Sequence, residues 1–179
     1  DLAESDVNWV SNNGVLYRLH SDQILIRQGE SIPQLFLILA GDVSVSVQIK
    51  EEEKIVGSST RGELLGEMSM LGGEYNLTTA TVRAVGGVEV IGINKKNLQS
   101  HIYSDPAFGM RFYRGMARML SQRARDQLAS MGLASISTNK ESNFDRNDSN
   151  DLIDFEMLSG ITTAGTRFDW LCKEFQNKT

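Results

Sequence analysis

One cysteine, Cys172, stands in a chain of 179 residues. A lone thiol cannot staple the fold, which points to a reducing compartment, the cytoplasm. It reads as a small hydrophobe near the end of the chain. The two histidines, His20 and His101, are far apart, so no zinc constellation and no metal site are expected. No His, carboxylate pair or nucleophile falls in a recognisable catalytic arrangement, so no enzyme is expected. There is no run of about 18 apolar residues, the length a membrane span requires. The opening stretch, DLAESDVNWV, has no basic segment leading into an apolar core, so no signal peptide is expected. It lacks an initiator Met, and a fragment or a processed form is the expectation. The net charge of -5 argues against general nucleic-acid binding. Charge is nevertheless uneven. Arg111, Arg114, Arg118, Arg123 and Arg125 lie in a stretch, 111 to 125, with no acid among them. That run reads either as a solvated helix face or as an anion or partner site.

What is present is a run of short apolar segments. Residues 2 to 12 suit a short helix. From Val15 to about Ile93, VLYRL, ILIRQG, LFLILAGDVSVSVQI, KIVGSS, ELLGEM, TATVRA and VEVIGI follow one another at short spacing. DVSVSVQI alternates strictly, as a half-buried strand does. LAGD before it supplies a tight turn at Gly41. Many short strands with glycine punctuation and no helix between them predict a mainly β fold with flanking helices, an antiparallel barrel or jelly roll.

After Ile93 the period changes. NKKNLQSHIYSDP reads as a short helix with Asn94 as its cap, stopped before Pro106. Asp105-Pro106 opens a long C-terminal helix expected over 106–131. On it Tyr113, Ala117, Leu120 and Ala124 form a seam like that of a coiled coil, the expected surface of a homodimer. Phe108, Phe112, Met116 and Met119 form a second stripe beside it. One broad stripe packed on its own domain is an equal alternative. The expected domain is therefore 1–131. Residues 132–150 are polar and read as a linker. Residues 151–179 regain apolar residues, with Phe168, Leu171 and Phe175 on one helical face and Trp170 close by. So short an element cannot fold alone. It must dock on the domain, on a second copy or on another protein, and a protein partner is the expectation.

The stretch GEMSMLGGEYNLTTATVRA, 66–84, carries the sharpest signal. Together with Gly29-Glu30, LILAGDVSV and the long helix behind, it resembles the cyclic nucleotide-binding domain of the catabolite activator and protein kinase A regulatory subunit superfamily. The resemblance covers roughly residues 10 to 131. Gly66-Glu67 and Ala80-Thr81-Val82 resemble the two ends of the family's phosphate-binding cassette. It implies a ligand site at Gly66, Glu67, Met68, Thr78, Thr79 and Ala80, with Glu67 accepting a hydrogen bond from the ribose 2'-hydroxyl and Arg123 on the long helix near the base. The ligand implied is a cyclic nucleotide, cAMP first, bound weakly or atypically.

The departure lies in the middle of the cassette. Between Glu67 and Arg83 there is no Lys, Arg or His. The family's Pro-Arg pair falls on Leu77-Thr78, so the arginine that pairs with the cyclic phosphate is absent. A charge-assisted contact of that kind is worth about 1.5–3 kcal/mol. Three readings stay open: a weaker site built on backbone N–H groups with the Thr78 and Thr79 hydroxyls; a substitute arginine, Arg83 or Arg123; or a degenerate pocket in a domain kept for protein interaction and assembly. Strand alternation turns Arg83 outward if Ala80 and Val82 face inward. The residues after 131 do not read as a helix-turn-helix, so DNA binding is not expected. A non-enzymatic regulatory module that signals to a protein partner is the leading expectation.

Overall fold

The computed structural model describes residues 3–71, 77–130 and 165–175. Helix α1 (Glu4–Asn13) leads into β1 (Gly14–Leu19), β2 (Ile24–Ile26), β3 (Gln34–Ile49), β4 (Glu52–Ser59) and β5 (Leu64–Leu65). The four-residue α2 (Met68–Leu71) precedes β6 (Thr81–Asn94), and α3 (Lys95–Ser104) and α4 (Pro106–Ser130) follow. Residues 165–175 form a further helix, α5. The linker expected at 132–150, and the start of the tail to 164, lie outside the described residues. No helix among the described residues is long and apolar enough to cross a membrane.

The sheet is antiparallel throughout. Its order is β1-β6-β3-β4, with β2 also on β6 and β5 also on β3. Two long strands, β3 and β6, form its spine. Both were expected as separate short strands, and the tight turn expected at LAGD is absent. Gly41 lies instead inside β3, where the register on β6 shifts between Ile38 and Asp42. Its φ of +83° and its approach to β6 explain the glycine: an added Cβ would stand 2.4 Å from the Gly87 carbonyl oxygen. A bulge of this kind bends a strand without ending it.

Local rules account for the helix starts. Asn94 Oδ1 accepts from the Lys96 and Asn97 N–H groups at 3.0 and 3.2 Å, and Asp105 Oδ1 accepts from Phe108 N–H at 2.9 Å. These caps satisfy donors that the first helical turn leaves without partners. At α1 the third helical residue, Asp6, reaches back to the Ala3 N–H at 2.7 Å, which is one half of a capping box.

Apolar residues divide into two clusters. One, inside the sheet, holds Ile26, Phe36, Ile38, Val43, Leu65, Val82, Val88 and Val90. The other joins the sheet to the helices: Val7 and Val10 of α1, Leu35, Leu39, Ile91 and Ile93, Leu98 of α3 and Phe108 of α4. Leu171 and Phe175 of α5 complete it, 2% and 4% exposed, with Phe168 and Cys172 packed against it. This corrects the expected use of the tail. Phe168, Leu171 and Phe175 cover the chain's own core, because that is the apolar surface within reach. Of the four residues expected to face a partner, Trp170 alone is substantially exposed, at 42%.

Candidate functional site

A cavity of about 800 Å³ opens between the sheet, the segment 63–69 and the C-terminal half of α4. Its apolar walls are Ile26, Val45, Val47, Val56, Leu65 and Val82. Gly66, Glu67, Met68, Thr78, Thr79, Ala80 and Arg123 all line it. The seven residues come from three separate places in the chain, and the fold brings them to one space. Gly66 has φ +83°, and an added Cβ would stand 2.7 Å from Ile32 Cδ1, so the backbone here passes where a side chain cannot.

Glu67 is 4% exposed. Its carboxylate receives Arg123 Nη1 at 2.6 Å. The same guanidinium donates from Nε and Nη2 to Glu63 Oε2 at 3.1 and 2.8 Å, and from Nη2 to the Leu64 carbonyl at 2.7 Å. Ser59 Oγ lies 3.3 Å from Nη2. Arg123 is therefore a clamp between α4 and the strand end that leads into the cassette. It is also the sole cation among the described residues lining the cavity, against three carboxylates, Glu63, Glu67 and Asp126.

Behind Glu67 sits Lys95. Its ammonium donates to Ser69 Oγ at 2.5 Å and to the Ile32 carbonyl at 2.9 Å. Burial pushes this lysine below its ordinary value of 10.5, and the Glu67 carboxylate nearby partly offsets the shift. The cassette thus has a positive charge at its back rather than at its centre.

Two sequence readings need correcting. Thr78 lines the cavity, but its hydroxyl is engaged by the backbone of the 27–30 turn. It donates to the Arg27 carbonyl, with the Glu30 carbonyl also within 3.0 Å, and accepts from Glu30 N–H at 3.2 Å, which fastens the 27–30 turn. Thr79, by contrast, is exposed. Arg83 is no substitute for the missing arginine. It binds the Asp22 carbonyl at 3.1 Å and approaches Glu53 at 3.8 Å, while Val82 and Ala80 face the cavity. The basic run 111–125 is largely spent inside the chain as well. Arg111 grips Asp6, Arg123 grips Glu63 and Glu67, and Arg125 binds Gln122 and Ser121.

The sequence did not announce Glu63, Ser59, Asp126, Gln127 or Ser130, all of which line the cavity. The 3- and 4-residue spacing of Arg123, Asp126, Gln127 and Ser130 on α4 was the available signal. Of the expected seam, Tyr113, Ala117 and Ala124 are exposed, whereas Leu120 is half-buried and lines the cavity with Ala124.

The chain thus pairs an antiparallel sheet with a cavity of about 800 Å³ bordered by a long helix. Residues 17–105 match the family described as Cyclic nucleotide-binding domain, and that segment belongs to the family. Over 115 residues it is 30% identical to the cAMP-activated global transcriptional regulator CRP of Salmonella typhimurium, covering 64% of this chain and 54% of that protein. The chain thus spans about half the length of the curated relatives it matches. Among solved structures, a cyclic nucleotide-binding domain from Methylobacillus flagellatus superposes with TM-score 0.66 at 22% identity, covering 73% of this chain and 72% of that one. The c-di-GMP responsive global regulator CLP of Xanthomonas campestris gives 0.65 at 19% identity, covering 73% and 63%. At those identities the structures speak for the fold.

Proposed function

We propose that this cavity binds a cyclic nucleotide, cAMP first, and that the domain is a non-enzymatic regulatory module whose α4 passes the signal on. The observation that carries this reading is the convergence of Gly66, Glu67, Met68, Thr78, Thr79, Ala80 and Arg123 on one cavity with an apolar wall of a size to take a base. Glu67 receives the ribose hydroxyl. Because Arg123 already serves two carboxylates and a carbonyl, the cyclic phosphate rests on polar groups of Thr79 and the cassette backbone. Loss of a charge-assisted phosphate contact weakens binding by roughly one to two decades relative to a site with the cassette arginine. The named relative's activation by cAMP supports the choice of ligand, and the dinucleotide-responsive neighbour supports widening the search.

The exposed apolar face of α4 supports a homodimer. Met110, Tyr113 and Leu128 are 65%, 42% and 50% exposed, with Ala117 and Ala124 between them, a line of contacts suited to a second copy of the same helix. A protein partner beyond that reads Trp170 and the surface around it. Cytoplasmic residence without DNA binding completes the reading.

A second reading has its own observation. Arg123 is committed to Glu63 and Glu67, so the cavity offers an anion no cation at its centre. On that reading the pocket no longer takes a nucleotide and the domain serves interaction or assembly. Thermal unfolding with cAMP, cGMP and cyclic dinucleotides separates the two. A ligand at a hundred times its dissociation constant stabilises by about 2.7 kcal/mol. A raised midpoint with one of them supports the sensor, and an unmoved midpoint with all of them supports the assembly domain.

A further inference from the structure

We propose that α5, residues 165–175, is a reversible internal docking element, and that its docking is coupled to the cavity through the turn 60–64. The proposal builds on the reading of the cavity as the ligand site for its consequence, and on geometry alone for the coupling itself.

The turn is held from both sides. On one side, Arg61 Nη2 meets Asp169 Oδ1 at 2.5 Å, and the Arg61 guanidinium lies over the Phe168 ring, 5.0 Å from its centroid. Arg61 Nε donates to the Leu39 carbonyl at 3.2 Å, so the side chain that grips α5 is itself pinned to β3. On the other side, two residues along, Glu63 takes Arg123 from α4. Leu64 faces both ways. Its side chain packs against the cluster that Leu171 and Phe175 complete, while its carbonyl accepts from Arg123 and its N–H meets Met119 Sδ at 3.3 Å. The middle of the turn is tied to β3, with Ile38 N–H donating to the Glu63 carbonyl at 3.0 Å and Gly62 N–H to the Ile38 carbonyl at 2.9 Å. The turn is therefore short, pinned and shared.

The balance of contacts makes α5 the releasable member. Leu171 and Phe175 are its buried anchors, Phe168 and Cys172 pack beside them, and the Arg61–Asp169 ion pair has side-chain exposures of 50% and 59%; exposed pairs of that kind hold weakly. An eleven-residue helix does not persist alone in water, so release costs the helix as well as the contact. With α5 docked, Arg61 and Leu64 hold Glu63 toward Arg123 and keep the clamp on Glu67 shut. A ligand that takes Glu67 from Arg123 loosens the turn and, with it, the seat of α5. Freed, α5 presents Phe168, Leu171 and Phe175 for other contacts. Coupling of this kind is reciprocal by linkage.

Hydrogen exchange on the full chain without ligand tests this. Asp169→Arg places a second cation against Arg61 at an exposed site, and Leu171→Asp removes a buried anchor. Both are expected to raise amide exchange in 165–175 and, through the turn, in 62–71. Glu63→Gln weakens the clamp from the other end and is expected to raise exchange in 165–175. A coupling in the usual range corresponds to about fivefold or more. Exchange that rises only in the segment carrying the substitution, in either direction, overturns the coupling. A tail that already exchanges at the rate of an unstructured peptide in the unsubstituted chain overturns the docking. No nucleotide enters the experiment, so its failure and a failure of nucleotide binding are read separately.

Discussion

Helix α4 carries two arginine clamps, one near each end, and they do different things with the same chemistry. At the first, Arg111 meets Asp6 through Nε and Nη2 at 2.7 and 2.6 Å. Asp6 is 1% exposed and also caps α1, so its bonds to Arg111 tie α4 to α1 while its bond to Ala3 fixes the start of α1. Burial alone would raise this carboxyl, but the Arg111 guanidinium and the Ala3 N–H outweigh it and hold the group below its ordinary 3.8. At the second, Arg123 meets Glu63 and Glu67 on the wall of a cavity. The first clamp joins α1 to α4. The second borders a cavity of about 800 Å³. The same arginine-carboxylate chemistry thus joins two helices in one place and borders a cavity in the other.

The comparison can be broken from either end. Asp6→Ala has the largest expected effect. It removes the charged hydrogen bonds of Asp6 and the back-bond to Ala3, costing about 3 kcal/mol of stability in denaturant unfolding, with ligand affinity unchanged. The same clamp predicts the acid limb. A carboxyl whose folded value is lowered adds stability that is complete above its unfolded value of 3.8. That stability is lost as pH falls through the folded value, so the unfolding midpoint drops on acidification below 3.8 and Asp6→Ala flattens that drop. Glu67→Gln comes next. Arg123 keeps Glu63 and the Leu64 carbonyl, so stability falls by only about 1 kcal/mol, and the visible loss is in ligand binding. The smallest effect on stability belongs to Leu128→Glu, on the exposed face of α4. Stability stays within about 0.5 kcal/mol, while the proposed dimer is expected to separate into monomers on a sizing column.

The two clamps also mark what sequence could and could not show. The fold was legible because its signals are local: the alternation in DVSVSVQI, the glycines, the cassette ends and the Asp105-Pro106 helix start all sit within a few residues. Gly41 was misread because a bulge and a turn share the same glycine signal, and the Gly87 carbonyl 2.4 Å from its absent Cβ is a long-range fact. The cavity wall at 66–68 and 78–80 was legible through motif order. The partners of Arg123 were not, since Glu63 and Glu67 lie 60 and 56 residues away, and Asp6 lies 105 from Arg111. Charge pattern along one helix cannot say which acid comes to meet it. The tail face Phe168, Leu171 and Phe175 was legible as apolar, and its destination was not, because an apolar face does not name what covers it.

Calorimetric titration of cAMP into the unsubstituted chain and into Glu67→Gln tests the central claim most directly. The account predicts measurable binding to the first and binding weaker by roughly tenfold or more to the second, the loss of one charged hydrogen bond. Equal affinities for the two chains, or no heat from either, would contradict it.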